Sequence, residues 1–282
     1  MGLLSSIFGF GQLIVIASLL SELSPIATSQ PISNTKREFS HPASFPVQYM
    51  SGRPEAGVSV PAIAQQVTVR ILTNEGAGSG AIVQRRGRTY TVLTCAHVVD
   101  GISDNRYTIL TADGNSHSAR WLRSIEFGDT DLALVQFTSD RSYRVVVMGD
   151  SNALSVGDTV YASGFPNWIS VNSRFPVDTH NWGLRAYRLT TGRVGMLSAR
   201  SLERGYKLGY TNDVENGMSG GPVLDRNGRL IGINGRLKYA LADIGAYTFA
   251  DGTVPSEVLF RQMEALSWAI PIATFQQKVG RF

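Results

Sequence analysis

The run Gly217-Met218-Ser219-Gly220-Gly221-Pro222 constrains this chain more than any other stretch. Each glycine in a helix or strand interior costs backbone entropy. Three of them around one serine therefore mark a place where the backbone turns sharply and approaches something closely. In acyl-transfer chemistry that something is an oxyanion, held by backbone N–H groups aimed at it. Behind the run, Val223-Leu224 and Leu230-Ile231-Gly232-Ile233 flank Asp225-Arg226-Asn227-Gly228. Asn-Gly between apolar runs predicts a tight hairpin, so Ser219 is expected on a rigid scaffold.

A serine hydroxyl is a weak nucleophile and needs a base within hydrogen-bond reach, itself oriented by a third group. Thr94-Cys95-Ala96-His97-Val98-Val99 places His97 at the end of a β-rich run, just as the chain turns. Gly128-Asp129-Thr130-Asp131-Leu132-Ala133-Leu134-Val135 offers two acids. Asp131 leads directly into the apolar strand and is preferred, whereas Asp129 marks the preceding turn. Cys95 reads as a small buried filler rather than a second nucleophile.

Around these residues the pattern is one of short strands. Segments 66–72, 78–83, 88–94, 107–111, 117–122, 156–162 and 189–195 are β-rich and separated by turn residues, with Asp113-Gly114 as a second hairpin dipeptide. Many short strands with few 3.6-period runs argue for an all-β barrel or sandwich. The helix candidates are Ser256 to Ala265 and a terminal one from Ile272 to about Lys278. Two segments, Trp168 to Tyr187 and Leu237 to Leu266, exceed the compact pattern and are expected as loops around a cleft.

The glycine–serine run resembles the nucleophile loop of the trypsin/chymotrypsin clan of serine proteases. Thr94 to His97 resembles the clan's Thr-Ala-Ala-His motif, with Cys95 in place of the first alanine, and Asp131 to Leu134 resembles Asp-Ile-Ala-Leu. The order His97, Asp131, Ser219 is that of the chymotrypsin-type fold. The likeness covers most of the chain from about residue 61 and is nearest to bacterial high-temperature-requirement (Htr) proteases, here without a PDZ module. Val156-Gly157-Asp158, Thr191-Gly192-Arg193-Val194, Leu230 to Asn234 and Trp268-Ala269-Ile270-Pro271 resemble that group's framework segments.

The resemblance implies two six-stranded antiparallel Greek-key β-barrels, residues 61–152 and 153–282, with a short C-terminal helix. It implies a serine endopeptidase acting on proteins or peptides through His97, Asp131 and Ser219. The backbone N–H groups of Gly217 and Ser219, with that of Met218 between them, are expected to form the oxyanion hole. Asp213 lies where trypsins place a pocket acid for Lys or Arg; the alternative turns Val214 inward and leaves Asp213 or Glu215 in water. Asn234-Gly235-Arg236 is expected to supply the far wall of the specificity pocket. The competing class is a catalytically silent peptide-binding protein on the same fold.

Composition narrows the partners. The net charge of +4 comes from 26 basic and 22 acidic side chains with no Lys/Arg block, which argues against a nucleic-acid site. With one cysteine and scattered histidines (His41, His97, His117, His180), neither an intrachain disulfide nor a Cys/His metal site is expected, and no cofactor is implied. Residues 1–29 hold no Lys or Arg, and Ile7 to Leu20 is apolar apart from Gln12 and Ser18. This reads as a signal peptide, with an uncleaved membrane anchor as the alternative. Either places the remainder outside the cytoplasm, periplasmic or secreted. Residues 30–60, with Pro31, Pro42, Pro46 and Pro54 among polar residues, read as a linker or pro-segment. Cleavage after Ala27-Thr28-Ser29 predicts a mature N-terminus near Gln30. N-terminal sequencing of exported protein checks it, and an intact Met1 in a membrane fraction would favour the anchor.

Overall fold

Apolar side chains at period two bury one face of a strand, and a strand buried on both faces reads as a continuous apolar run. Both patterns occur in the computed structural model, which describes residues 57–74, 76–170, 176–239 and 243–279. The expected signal or anchor, and the linker up to residue 56, lie outside the described residues.

The described chain begins with helix α1, Val60–Val67, followed by strands β1 Thr68–Leu72, β2 Ala77–Arg86 and β3 Thr89–Thr94. A single helical turn, α2 Ala96–Val99, leads to β4 Tyr107–Leu110, β5 Ser116–Trp121 and β6 Ala133–Thr138. The six strands close into a barrel in the order β1-β2-β3-β6-β5-β4, every pair antiparallel. Its interior is filled by Val69, Ile71, Ile82, Val92, Ile109, Val135 and Phe137. At the β4–β5 hairpin the Asp113 carboxylate accepts from the Thr111 hydroxyl and the Asn115 N–H, which fixes the turn.

A second barrel is built from β7 Thr159–Gly164, β10 Arg188–Leu197, β11 Leu208–Tyr210, β12 Pro222–Asp225, β13 Leu230–Arg236 and β14 Ser267–Pro271. Its order is β10-β11-β14-β13-β12-β7. Between β7 and β10 the chain makes a separate hairpin, β8 Trp168–Ser170 with β9 Pro176–Asp178, then 3-10 turns. Between β13 and β14 lies helix α3, Glu257–Glu264, started by Ser256, whose hydroxyl accepts from the Leu259 N–H. Helix α4, Ile272–Val279, follows β14. Both long insertions thus carry structure of their own.

The sequence pattern misplaced one element. Residues 66 and 67 read as the start of a strand, but Gln66 and Val67 end α1, and β1 begins at Thr68. Proline early in the first turn suits a helix start. Ile63, Ala64 and Val67 then bury one face of the helix in a cluster that includes Leu224 and Leu230 of the second barrel.

That cluster also joins the barrels. Ala81, Val83, Leu93, Cys95 and Leu134 of the first barrel meet Leu224, Leu230, Ile233, Trp268 and Ile270 of the second. It explains why β2, β3 and β6 are buried on both faces. Trp268 is fully buried and donates its indole N–H to the Met263 carbonyl at 3.0 Å, tying β14 to the end of α3. Trp268→Ala is expected to cost about 3–5 kcal/mol of stability, read from urea denaturation; a wild-type midpoint would contradict this role.

Candidate active site

His97 owes its place to the end of β3. The Thr94 hydroxyl donates to the Ser79 carbonyl at 2.7 Å, ending the strand, and the chain folds into α2 with His97 half-exposed on it. Asp131 lies two residues before β6 and is 1% exposed, whereas Asp129 is exposed on the preceding turn. One Asp131 oxygen takes the His97 backbone N–H at 3.0 Å and the other faces His97 Nδ1 at 2.7 Å. That leaves Nε2 as the nitrogen available to a substrate or a nucleophile.

The loop around Ser219 comes from the second barrel and is held against the first by hydrogen bonds from β2. Ser79 N–H donates to the Ser219 carbonyl at 2.8 Å, and the Ser79 hydroxyl donates to the Gly217 carbonyl at 2.7 Å. Contact at Gly220 is so close that an added Cβ would lie 2.1 Å from Thr94 Oγ1 and 2.2 Å from the Ser79 carbonyl oxygen. Only glycine fits there. The Ser219 hydroxyl donates to the Gly235 carbonyl at 3.4 Å, and no hydrogen bond joins it to His97 among the described residues.

The carbonyls in the loop are anchored, and this aims its N–H groups. The Asn216 carbonyl accepts from Asn167 N–H at 2.7 Å and the Met218 carbonyl from Gly221 N–H at 3.0 Å. Across each of those peptide planes the N–H points the other way, and these are the N–H groups of Gly217 and Ser219. Neither has an acceptor among the described residues. Gly217 adopts φ +96°, a left-handed conformation that glycine takes without strain. Met218 differs from the expectation. Its N–H closes a tight turn onto the Glu215 carbonyl at 2.9 Å, and its side chain is buried in the second barrel, so it is not an oxyanion donor.

Asn167, just before β8, is itself braced from the first barrel. Its carbonyl accepts from Thr179 N–H at 3.0 Å. Buried Arg70 of β1 donates to the Thr179 carbonyl at 3.0 Å and to the Thr179 hydroxyl at 3.1 Å. Neither Arg70 nor Ser79 was legible as a site residue. The only sequence signal was the small, glycine-flanked character of Gly78-Ser79-Gly80.

Electrostatics around Asp131 are unusual in the number of donors. Besides His97, Arg204 Nη2 donates to one carboxylate oxygen at 2.7 Å and the Tyr206 hydroxyl donates to the other. Burial by itself raises the carboxyl. The hydrogen bond and charge of His97, then the Tyr206 hydroxyl, outweigh it and hold Asp131 below the usual carboxylate range. Burial, with Asp131 nearby, pushes the Cys95 thiol well up; its Sγ–H donates to the Asn234 carbonyl at 3.0 Å. A buried, protonated thiol is inert, in keeping with a filler role. Cys95, His97 and Asp131 do have ligand atoms within 4.8 Å of one another. That thiol and the four donors on Asp131 leave this set a poor fit for a cation.

The expected specificity residues are placed differently. The Asp213 side chain is 76% exposed and pairs with Lys238 Nζ at 2.6 Å, while Val214 is the residue turned inward. An unpaired carboxylate buried at a pocket base is costly, and here the loop leaves it in water. Glu215 is also exposed. Asn234 is fully buried and committed to the framework, accepting from the Tyr210 hydroxyl and donating to the Ser163 carbonyl at 3.1 Å. It lines no pocket. Gly235 does face the site, offering its carbonyl to Ser219, with the Tyr206 ring packed where a side chain would stand.

Residues 78–233 match the family described as the trypsin-like peptidase domain. The chain belongs to that family. The match runs from β2 into β13 and includes His97, Asp131 and Ser219. Relatives carry serine-protease names. The serine protease Do-like HtrA of Bacillus subtilis is 30% identical over 179 residues, 63% of this chain and 37% of that protein. A probable periplasmic serine protease do/HhoA-like of Haemophilus influenzae is 33% identical over 163 residues, 56% of this chain and 30% of that protein. The periplasmic pH-dependent serine endoprotease DegQ of Escherichia coli is 31% identical over 160 residues, 57% of this chain and 31% of that protein. The chain spans about a third of the length of these curated relatives.

Removing the hydroxyl that holds Gly217 tests the clamp. Ser79→Ala leaves a buried carbonyl and the buried Phe165 N–H without their partner, so a loss of about 1–3 kcal/mol is expected, measured by chemical denaturation. Unchanged stability would remove Ser79 from this role.

Proposed function

We propose that this chain is an exported serine endopeptidase using His97, Asp131 and Ser219. The observation that carries the reading is the His97–Asp131 pair set beside a serine loop with two unengaged, anchored N–H groups. Ser219 Oγ attacks the peptide carbonyl carbon while His97 Nε2 takes its proton. Asp131 keeps the proton on Nδ1 and balances the imidazolium. The tetrahedral oxyanion lies against the N–H groups of Gly217 and Ser219. Collapse breaks the C–N bond, and His97 returns the proton to the leaving amine. Water then repeats the sequence on the acyl-enzyme and frees Ser219.

Val214, packed with Tyr210 and Leu237, supports a preference for small aliphatic residues before the scissile bond over Lys or Arg. Export draws on the apolar run Ile7 to Leu20 and on relatives named as periplasmic. The second reading, a silent peptide-binding protein, draws on the Ser219 hydroxyl bonded to Gly235 rather than to His97.

A fluorophosphonate probe separates the two. Wild type should label and Ser219→Ala should not, with its fold intact. Asp131→Asn should lower turnover by roughly 10⁴-fold through the wrong histidine tautomer, and Asp129→Asn should cost little. In a peptide library, Asp213→Ser should leave the preference unchanged. Labelling of Ser219→Ala at the wild-type level would sink the assignment.

A further inference from the structure

The donors on Asp131 that do not come from His97 come from one short segment of the other barrel. Leu202 N–H donates to the Tyr206 carbonyl at 2.9 Å, closing a loop around residues 203–205. Arg204 adopts φ +64°, uncommon for a residue with a side chain. Both of its ends hold Asp131: its carbonyl accepts from Asp131 N–H at 3.0 Å, and its guanidinium reaches back to the carboxylate. Tyr206 is 2% exposed, with Gly235 against its ring and the Arg236 guanidinium 4.9 Å from the ring centroid. The hydroxyl is thereby aimed at the second carboxylate oxygen.

We propose that Arg204 and Tyr206 are positioning residues, with Tyr206 fixing the orientation of the Asp131 carboxylate and Arg204 offsetting its charge. The inference rests on the triad reading above. The charged and titratable groups facing Asp131 are His97 and Cys95 from the first barrel and Arg204 and Tyr206 from the second, with Arg236 behind the tyrosine ring. Among the described residues, Arg204 is the arginine or lysine that pairs with this carboxylate directly. An uncompensated carboxylate favours the imidazolium and so idles the base in mild acid. A carboxylate already paired with a guanidinium, as Asp131 is with Arg204 at 2.7 Å, presents less negative charge to the ring nitrogen facing it. Tyr206 acts on geometry: with both lone-pair directions of each oxygen occupied, the carboxylate is not free to rotate away from Nδ1.

The test compares kcat/KM pH profiles of wild type, Arg204→Gln, Arg204→Lys and Tyr206→Phe on one peptide, with probe labelling at each pH. Removing the charge in Arg204→Gln should move the acid limb upward by about half to one pH unit, the order expected for one partly solvated charge several ångströms away. Arg204→Lys should return the limb to its wild-type position, which a merely structural role does not require. Tyr206→Phe should lower kcat by about ten-fold or more with KM unchanged. The proposal is overturned if wild type labels and turns over but the Arg204→Gln limb stays in place, or if Tyr206→Phe keeps the wild-type kcat. A wild type that neither labels nor hydrolyses would instead overturn the triad reading, and this inference with it.

Discussion

The seam between the barrels depends on a short run of hydrogen bonds between β2 and the loop around Ser219. Through Ser79, one residue fixes two carbonyls of the loop around Ser219 and receives the Phe165 N–H as well. In a buried setting such bonds are costly to leave unmade, so the loop has one conformation rather than a family of them. The apolar cluster beneath brings the barrels together. It does not choose their register, because apolar contact is non-directional. The polar contacts choose it, and the close approach at Gly220 leaves little room for error.

The same logic extends to the N–H groups of Gly217 and Ser219. Their direction follows from what their neighbours' carbonyls are bonded to: the backbone N–H of Asn167 for one, and the N–H of Gly221 within the loop itself for the other. The chain from Arg70 through Thr179 and Asn167 to Asn216 shows how far such an anchor reaches. Preorganised donors stabilise developing charge because they need no reorganisation at the moment of reaction. Under the proposed reading, the aim of these two donors is set by peptide planes whose carbonyls are already bonded.

What the sequence revealed follows from this division. Strand periodicity, the Asn-Gly hairpin, the glycines beside Ser219 and the acid opening an apolar strand are local signals, and the two closed barrels agree with the all-β reading. Helix α1 was mistaken in part for a strand because its apolar residues run straight into those of β1. Arg204 and Tyr206 carry no local mark: they lie more than 70 residues from Asp131 along the chain. Asp213 shows the opposite failure. Its spacing from Ser219 suggested a pocket, but spacing does not fix which way a loop residue faces, and Lys238 and water hold it outside.

Asp131 belongs to the first barrel by chain position, yet Arg204 and Tyr206 belong to the second. The two lobes are therefore not interchangeable parts. A recombinant that joined this first lobe to a second lobe lacking an equivalent of the 202–206 loop would inherit all of His97 and Asp131 but only part of the surroundings that make them a pair. A change at Arg204 or Tyr206 in one lobe would leave the Asp131 carboxylate of the other short of a donor.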